Sequence, residues 1–310
     1  MTGQRAQVVG VGQCSLDLLG RVARYPAVDQ KAELEEVLTQ GGGPVATALV
    51  ALARLGVTTA FFGRIGDDEH GHRIRGDLVD EGIDCRGLLT DPGATSQFAF
   101  IAVEAGSGHR NIFWTRGSAR PLLADEIDAA AIASCRVLHL DGLQFEAAVA
   151  AAVIARRHGV VTVLDGGTLR PESERLLPLI DHLVVSERFA RQLCPSDTPV
   201  ALARLLEYGA TAATITFGAG GSHTLTRAGD SFHVPAFAVP VVDTTGCGDV
   251  FHGGYIYGLL QGWPLRKLVV FAAACAALKT RALGGRTAIP TLAEVESLLA
   301  GQGRREGGVA

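Results

Sequence analysis

Short apolar runs alternate with longer amphipathic or apolar stretches along almost the whole chain. The short runs have the length of strands, and the longer stretches have the length of helices. Strand-like runs that are apolar at nearly every position indicate a parallel sheet covered by helices on both faces. The pattern therefore predicts an α/β fold. The predicted strands are 7–11, 59–63, 137–140, 160–165, 182–186 and 212–217, and the predicted helices are 44–55, 69–81, 145–158, 187–193 and 200–208.

Two segments interrupt this alternation. Residues 13–40 contain no long helical stretch, and residues 94–116 have the pattern of two strands around a turn that contains glycine. We expect both segments to form a small β-lid outside the main sheet, because flaps built from separate segments usually cover a site. The remainder of residues 1–300 is predicted to be one domain, and the Gly- and Arg-rich residues 301–310 are predicted to be a flexible tail.

The last third of the chain has the highest density of chemically informative residues. Strand-like segments at 222–226, 231–234 and 239–242 lead to the sequence Asp-Thr-Thr-Gly-Cys-Gly-Asp at 243–249. Helical stretches follow at 250–261 and at 264–280, the second of which starts with a proline that suits a helix start. A strand, a tight turn of small residues and a helix therefore meet at residues 243–249.

This strand–turn–helix junction predicts an anion site with a carboxylate beside it. The backbone N–H groups of Gly246, Cys247 and Gly248 would lie at a helix N-terminus, where unpaired donors and the helix dipole favour an anion. Asp249 would lie in the first turn. With an ordinary pKa of about 4 it is ionised near neutral pH and can accept a hydroxyl proton. Phosphoryl transfer requires little beyond positioning, charge stabilisation and such an acceptor.

The alternative for this junction is structural. Asp243 and Asp249 could cap a turn and a helix, with the glycines serving tight geometry. That explanation is sufficient for an isolated acid near a glycine. A run of seven residues with two acids, two threonines and a Gly-x-Gly favours the catalytic interpretation.

Composition excludes several other classes of protein. The formal net charge of −4 argues against a nucleic-acid-binding surface, and the six cysteines are scattered without a Cys-x-x-Cys pair. The longest apolar run, 269–278, is too short to span a membrane. We find no secretory signal and expect a cytoplasmic protein with reduced thiols.

At residues 243–254 the sequence DTTGCGDVFHGG resembles the C-terminal signature of ribokinase/PfkB-type carbohydrate kinases. The sequences GGGP at 41–44 and GRIGDD at 63–68 match the N-terminal signature of that family, and TFGAGG at 216–221 resembles its nucleotide-binding turn. The resemblance spans residues 8–290 in the order of the family. It implies a ribokinase-like three-layer fold, with a mainly parallel sheet between helices and a small β-lid, and ATP-dependent phosphorylation of a sugar or sugar-derivative hydroxyl.

The resemblance also implies roles for particular residues. The implied catalytic residues are the base Asp249 and the anion-hole residues Gly246, Cys247 and Gly248. The implied sugar-binding residues are Asp17, Gly41, Gly42 and Gly43. The implied ATP-binding residues are Thr216, Gly218 and Gly221. Mg²⁺ would be bound on the phosphates chiefly through water, and K⁺ would lie beside the anion hole near Asp243, Thr245 and Gly284. Relatives often form a homodimer through the β-lid. A strand-end cap for Asp17 and tight packing for the glycines remain as structural alternatives.

At several positions the chain departs from the family pattern. Ala46 stands where most members have a substrate-contacting Asn, and the Asn-x-x-Glu motif expected near residues 185–189 is absent. Ser186 and Glu187 could replace part of that motif, or Glu187 could be a plain helix-start acid. Cys247 stands where Ala is commonest, so it is either a small filler or a thiol activated by the helix terminus. His252 is often Asn, and helix packing is its simplest role.

Three further stretches resemble a branch that includes sulfofructose kinases. In our alignment the sulfonate-binding residues of that branch correspond to Gly142 and Trp114, neither of which binds a sulfonate by charge. Sulfofructose is therefore disfavoured as the substrate. Arg116 in the predicted lid could contact an anionic group, or it could be solvated. The sequence leaves the identity of the sugar open.

Other function classes were weighed against this interpretation. A Rossmann dehydrogenase would use the sequence GVGQCS at 10–15, but the third glycine and the crossover helix are missing. A P-loop kinase is excluded because no lysine follows a glycine, and no His-Glu-x-x-His occurs for a metal hydrolase. A nucleoside kinase of the same fold and a non-catalytic sugar- or nucleotide-binding regulator remain alternatives.

Overall fold

The computed structural model describes residues 5–306, with side chains up to residue 301. The strands are β1 (Val8–Val11), β2 (Ser15–Val22), β3 (Glu36–Gly42), β4 (Thr59–Gly66), β5 (Asp84–Asp91), β6 (Phe98–Glu104), β7 (Arg110–Thr115), β8 (Val137–Leu140), β9 (Val161–Gly166), β10 (His182–Ser186), β11 (Ala212–Thr216), β12 (Ser222–Thr226) and β13 (Ser231–Val234). The helices are α1 (Pro44–Arg54), α2 (Glu69–Asp80), α3 (Ala129–Ser134), α4 (Phe145–Arg157), α5 (Ser173–Leu176), α6 (Glu187–Leu193), α7 (Thr198–Leu206), α8 (Cys247–Leu260), α9 (Leu265–Lys279) and α10 (Leu292–Glu306).

The main sheet has nine strands in the order β13-β12-β11-β10-β9-β8-β1-β4-β5. Every neighbouring pair from β11 to β5 is parallel, and β12 and β13 add an antiparallel hairpin at one edge. Parallel neighbours need crossover connections, which the helices supply. The α/β fold class and the mainly parallel sheet predicted from the sequence are confirmed.

Alternation along the strands divides the interior into two helix–sheet layers. Val8 of β1 belongs to a core cluster that includes residues of α1, α8 and α9. Its neighbour Val9 belongs to a second cluster, which includes residues of α4, α6 and α7. Successive side chains of a strand point to opposite faces, so an apolar strand contributes to both cores. The sheet is therefore the middle of three layers.

A second sheet of four strands has the order β3-β2-β6-β7. Strand β2 pairs in parallel with β6, while the pairs β2–β3 and β6–β7 are antiparallel. Its strands come from the two segments, 13–40 and 94–116, that interrupt the alternation in the sequence. Leu19, Ile101 and Val103 form a small separate core with Leu283 beneath it.

The structure departs from the predicted elements in several places, and the short helices α3 and α5 are among the elements that were not predicted. Strand β5 and helix α10 were not among the predicted elements, because β5 is an edge strand with few buried positions and α10 is polar apart from a few core contacts. Residues 239–242 form no strand, and the N–H of Val242 bonds instead to the carbonyl of Thr280. Helix α10 continues to Glu306, into the segment predicted as a tail, and residues 307–310 lie outside the described part.

Helices α8 and α9 are the most deeply buried helices that support the site. Residues Tyr255 and Ile256 of α8 are fully buried, as are Val269 and Ala272 of α9. No helix within residues 5–306 is long and apolar enough to cross a membrane. Both helices instead pack inside the first of the two cores.

Candidate active site

Chemically active side chains gather at the carboxyl ends of the parallel strands. Asp141 follows β8 directly, Asp165 lies near the end of β9, and Thr216 is the last residue of β11. Helix α8, with Asp249 in its first turn, packs against the same sheet. Ligands of open α/β sheets bind outside the carboxyl ends of the strands. The location of the residues therefore identifies this edge as the candidate site.

The N-terminus of α8 has the geometry of an anion site. Its first flanking residue, Gly246, has a φ of 74°, and a Cβ there would come within 2.7 Å of the Gly285 Cα, so a side chain is excluded. Within the described residues no side chain caps this terminus. The N–H of Cys247 donates to the carbonyl of Thr244 at 3.3 Å. Apart from the chain neighbours of Gly248 and the backbone of α8 itself, no described atom lies within 4 Å of the position of a Cβ on this residue, so its outer side is open.

Asp249 lies in the first turn of α8, and its surroundings oppose ionisation. Burial, and then the carboxylate of Asp165, raise the pKa of Asp249 to about 7, while His252 and Arg110 act in the opposite direction. The carboxylate of Asp17 also raises this pKa, which places the two acids in one electrostatic environment. The sequence predicted an ordinary pKa for Asp249. Desolvation, which the sequence alone does not reveal, accounts for the difference.

A buried carboxylate–imidazole pair supports this part of the site. The Nδ1 atom of His252 lies 3.4 Å from Oδ2 of Asp165 and 2.8 Å from the carbonyl oxygen of Gly248. Its Nε2 atom lies 3.2 Å from the carbonyl oxygen of Val184. Both ring nitrogens thus face hydrogen-bond acceptors. His252 has a polar role in addition to the helix packing that was predicted for it.

The sugar-side residues predicted from the sequence lie at the junction of the two sheets. Asp17 of β2 is 8% exposed, and its Oδ1 accepts a hydrogen bond of 2.7 Å from the hydroxyl of Ser15. Burial raises the pKa of Asp17, and the guanidinium of Arg286 opposes this rise. A Cβ on Gly42 would overlap the carboxylate of Asp17, and a Cβ on Gly41 would overlap Arg286. Because glycine has no side chain, these two positions leave room for the carboxylate of Asp17 and the guanidinium of Arg286.

Gly43 and helix α1 complete the sugar side. Gly43 has a φ of 94° and precedes α1, and a Cβ there would overlap the carbonyl of Gln13. Ala46 in the first turns of α1 is fully buried. The position where the family pattern has a substrate-contacting Asn is therefore a packing position in this chain.

The predicted ATP-side residues form a short exposed turn after β11. Gly218 has a φ of 57° with no described atom near the position of a Cβ, whereas a Cβ on Gly221 would overlap the carbonyl of Val234. Thr216 lies half-buried beside Ser186, its neighbour in β10. The hydroxyl of Ser186 caps α6 by accepting from the N–H of Phe189. Glu187, the first residue of α6, pairs with Arg191 on the helix surface. This contact favours the interpretation of Glu187 as a plain helix-start acid.

The residues predicted to hold K⁺ are brought together. Oδ1 of Asp243 accepts the N–H of Thr245 at 2.8 Å and its hydroxyl at 2.7 Å, and Oδ2 accepts the N–H of Gly284 at 2.8 Å. The carbonyl oxygen of Asp243 accepts a hydrogen bond of 3.0 Å from Nζ of Lys279, which is fully buried. Protein sites for K⁺ are built from oxygens that replace its hydration shell. The Lys279 ammonium already lies on one of these oxygens, and its positive charge would repel a second cation there.

One lid residue reaches the loop of residues 243–246. Arg110 at the start of β7 donates a hydrogen bond of 2.6 Å to the hydroxyl of Thr244. Its charge also lowers the pKa of Cys247, but burial is the larger effect and raises that pKa above the ordinary value. The activated-thiol alternative for Cys247 therefore lacks support, and the small-filler interpretation is favoured.

Two further positions bear on the acceptor. Trp114 on β7 is 57% exposed, and the guanidinium of Arg116 lies 5.9 Å from the centre of its ring. Gly142 has a φ of 68° and follows β8. Among the side chains of residues 5–301, Arg116 contacts an aromatic face and forms no ion pair with an acid, which leaves its guanidinium available to an anionic group.

Comparison with known proteins identifies the family of this chain. Residues 5–292 match the family model described as pfkB family carbohydrate kinase. The match covers most of the chain, which therefore belongs to the pfkB family of carbohydrate kinases. Members of this family are enzymes, and this protein is a sugar kinase.

Individual relatives differ in the sugar that their names state. The chain is 28% identical to a 5-dehydro-2-deoxygluconokinase of Geobacillus kaustophilus, over 94% of this chain and 92% of the relative. It is 30% identical to fructokinase-1 of Zea mays, over 96% and 99% respectively. A ribokinase structure from Arabidopsis thaliana, complexed with ribose and ATP, has a TM-score of 0.83 at 24% identity and covers 96% of this chain and 99% of its own. The last likeness establishes the ribokinase-like fold.

Sequence reasoning missed several residues at this edge. Asp165 ends a predicted strand, and the rule that strand ends line the site would have selected it. Lys279 is one of only three lysines in the chain and follows a long apolar run. The contacts of Arg110 and Arg286 carry no local sequence signal, because they depend on how distant segments pack.

Proposed function

We propose that this enzyme transfers a phosphoryl group from ATP to a hydroxyl of a sugar or sugar derivative, with Asp249 as the general base. The observation that carries the proposal is the N-terminus of α8. It has no side-chain cap within the described residues, it is open above Gly248, and it holds a carboxylate in its first turn. A helix terminus and an adjacent carboxylate supply the two functions that this reaction requires.

Each group has a definite task in this proposal. The carboxylate of Asp249 accepts the hydroxyl proton as the oxygen attacks phosphorus. Its pKa of about 7 suits a base that works near neutral pH. The backbone of Gly246, Cys247 and Gly248 faces the negative charge of the transferring group, and the fixed dipole of α8 stabilises that charge without reorganisation.

We assign the nucleotide to the turn after β11. Thr216, Gly218 and Gly221 border it, and Gly218 lets backbone and ligand approach closely because nothing described lies near its missing side chain. The Arabidopsis ribokinase with ATP shares this fold. Mg²⁺ bound on the phosphates would neutralise their charge, chiefly with water as its other ligands. The protein's part is then to hold the phosphates at the end of α8.

The sugar side of the proposal is Asp17 with Gly41, Gly42 and Gly43. A buried carboxylate accepts hydrogen bonds from sugar hydroxyls, and the glycines leave space beside it. The named relatives act on different sugars, so the acceptor is a hexose, ketose or deoxy-sugar acid to be identified by assay. A nucleoside acceptor, or a regulator that binds without turnover, are the alternatives.

The proposal includes a homodimer in the cytoplasm. Phe113 and Trp114 of β7 are 62% and 57% exposed, and Ile112 and Val37 of the same small sheet are also exposed. Successive strand residues point to opposite faces, so Phe113 lies with Val37 on one face of this sheet, while Ile112 and Trp114 lie on the other. The exposed apolar face of Phe113 and Val37 favours a protein interface. All six cysteines, which lie within the described residues, are unpaired, as in a reducing compartment.

A coupled assay of ADP formation tests the proposal. The acceptors are fructose, ribose, ketodeoxygluconate, 5-dehydro-2-deoxygluconate, tagatose, sulfofructose, inositol and nucleosides, each with and without Mg²⁺. Mg²⁺-dependent turnover with one sugar supports the proposal. Turnover with nucleosides alone favours the nucleoside kinase. Tight ATP binding without turnover on any acceptor favours the regulator.

A further inference from the structure

Lys279 is a buried cation behind the anion hole. It is the last residue of α9 and has 0% exposure, whereas the other two lysines, Lys31 and Lys267, are exposed. Among the described residues its hydrogen-bond acceptor is the carbonyl oxygen of Asp243, at 3.0 Å. A lysine is almost never fully buried unless its charge is compensated. Its position therefore requires an explanation in terms of charge.

The ammonium lies where two backbone segments meet. The N–H of Gly284 bonds to the carboxylate of Asp243, and the N–H groups of Val242 and Asp243 point to the carbonyl of Thr280. These contacts join the segment before α8 to the turn that follows α9. Lys279, at the end of α9, bonds to Asp243 in the segment before α8 and so adds a further link between the two segments. Both segments continue directly into the anion hole, since Gly246 packs against Gly285.

The charges around Lys279 are those of a cation site. Burial lowers the pKa of Lys279, and Arg110 acts in the same direction, while the carboxylates of Asp243 and Asp249 and the thiol of Cys247 oppose this and favour the ammonium. The C-terminal end of α9 adds a favourable dipole. A positive charge held here adds to the field of the N-terminus of α8 and favours the anionic transferring group.

A diffusible cation would compete with this ammonium for the carbonyl oxygen of Asp243. The carboxylate oxygens of Asp243 are already bound by N–H and hydroxyl donors, and its carbonyl is bound by Lys279. A second unit charge about 4 Å from the ammonium would weaken K⁺ binding on the order of 10³-fold at the effective dielectric of a protein.

We propose that the Lys279 ammonium takes the place of a monovalent metal ion beside the anion hole, so that this enzyme needs no K⁺. The inference deepens the proposed phosphoryl transfer and rests on it for the catalytic consequence. Lys279 acts through the segment it holds and through its charge, and it is a positioning residue.

The test compares K⁺ with choline at constant ionic strength, using wild type, Lys279→Met and the control Lys267→Met on the exposed start of the same helix. For the wild type, we expect the melting temperature and kcat in K⁺ to equal those in choline. We expect the same for Lys267→Met. In Lys279→Met, the carbonyl oxygen of Asp243 is freed and the competing positive charge is gone, so K⁺ should bind there. We expect its kcat in choline to fall at least about tenfold, and both its kcat and its melting temperature to rise when K⁺ replaces choline.

Several outcomes would overturn the inference. A wild type that K⁺ activates or stabilises relative to choline binds the ion despite Lys279. If Lys279→Met loses activity and does not respond to K⁺, the lysine gives only structural support. If Lys279→Met has wild-type activity in choline, the enzyme needs no cation at this position. If Lys279→Met does not fold, the wild-type comparison still decides. Melting requires no turnover, so failure of the sugar assay would refute the proposed function and leave this inference separately testable.

Discussion

The carboxylate of Asp165 lies 3.4 Å from Nδ1 of His252, and both groups affect the ionisation of Asp249 in opposite directions. His252 is one turn beyond Asp249 on α8, and Asp165 reaches the pair from β9. The proposed base is therefore one member of a partly buried charge cluster, and its pKa is set by residues far apart in the sequence. This arrangement leads to tests in which the base and its neighbours are changed separately.

Replacing the base removes the proton acceptor. We expect Asp249→Asn to lower kcat about 10²–10⁴-fold, the usual contribution of a general base, while the affinity for an ATP analogue is unchanged. The coupled ADP assay and a nucleotide-binding titration measure the two effects. Retention of wild-type kcat would refute the mechanism.

The same variant should be more stable than the wild type at high pH. The pKa of Asp249 is raised in the folded state, so its favourable contribution is present below the unfolded pKa and is lost as the pH rises through about 7. Asp249→Asn should therefore raise the free energy of unfolding at pH 8 and leave it unchanged at pH 4. Urea unfolding at both pH values measures this and shows that lost activity is not lost folding.

The pH dependence of turnover should report the charge cluster. Because the base acts when ionised, kcat/KM should rise with pH and level off above the pKa of Asp249, near pH 7. Removing a like charge lowers this pKa, so Asp165→Asn should move the rising limb to lower pH by about one unit or more. His252→Gln should move it to higher pH. Unchanged profiles in both variants would show that the neighbours do not tune the base.

The space beside Asp17 should be required for sugar binding. In Gly42→Ala the new methyl group would overlap the carboxylate of Asp17 and displace it. We expect the KM for the sugar to rise about tenfold or more, the effect of losing about 1.4 kcal/mol of binding, with the KM for ATP unchanged. Gly76→Ala on α2 is the matched control, since no described atom lies within 4 Å of its new methyl group. Equal sugar KM values for the two variants would argue against contact with Asp17.

Cys247 should be replaceable and unreactive. Burial raises the pKa of its thiol, so the nucleophilic thiolate is scarce near neutral pH. We expect Cys247→Ala to keep kcat near the wild-type value, and the wild type to resist inactivation by iodoacetamide and peroxide at pH 7. Rapid inactivation that Cys247→Ala abolishes would instead establish a reactive thiol at the anion hole.

The apolar surface of the small sheet should hold the dimer together. Phe113→Lys places a charge on the face that Phe113 shares with Val37, and we expect it to yield a monomer in size-exclusion chromatography with light scattering. Val79→Lys, at a similarly exposed apolar position of α2, is the control and should remain dimeric. A wild type that is monomeric at all concentrations would contradict the proposed interface.

The amino-acid sequence by itself determined the fold class and most of the elements. Alternating apolar runs indicate strands and helices locally. The glycine-rich sequences at 41–43 and 243–249 indicate backbone conformations that few other residues adopt. It did not reveal β5 or α10, whose burial is slight, and it predicted a strand at 239–242 where the backbone pairs with Thr280 instead.

Only the tertiary structure decided the electrostatics of the site. The raised pKa of Asp249 depends on burial and on Asp165 from another strand. The bond from Lys279 to Asp243 joins residues that are 36 positions apart. The close approach of Gly42 to the carboxylate of Asp17 results from the pairing of β2 with β3. Desolvation and Coulomb interactions act through space, so a local sequence pattern predicts which groups can react, while packing determines how strongly each holds its proton or its charge.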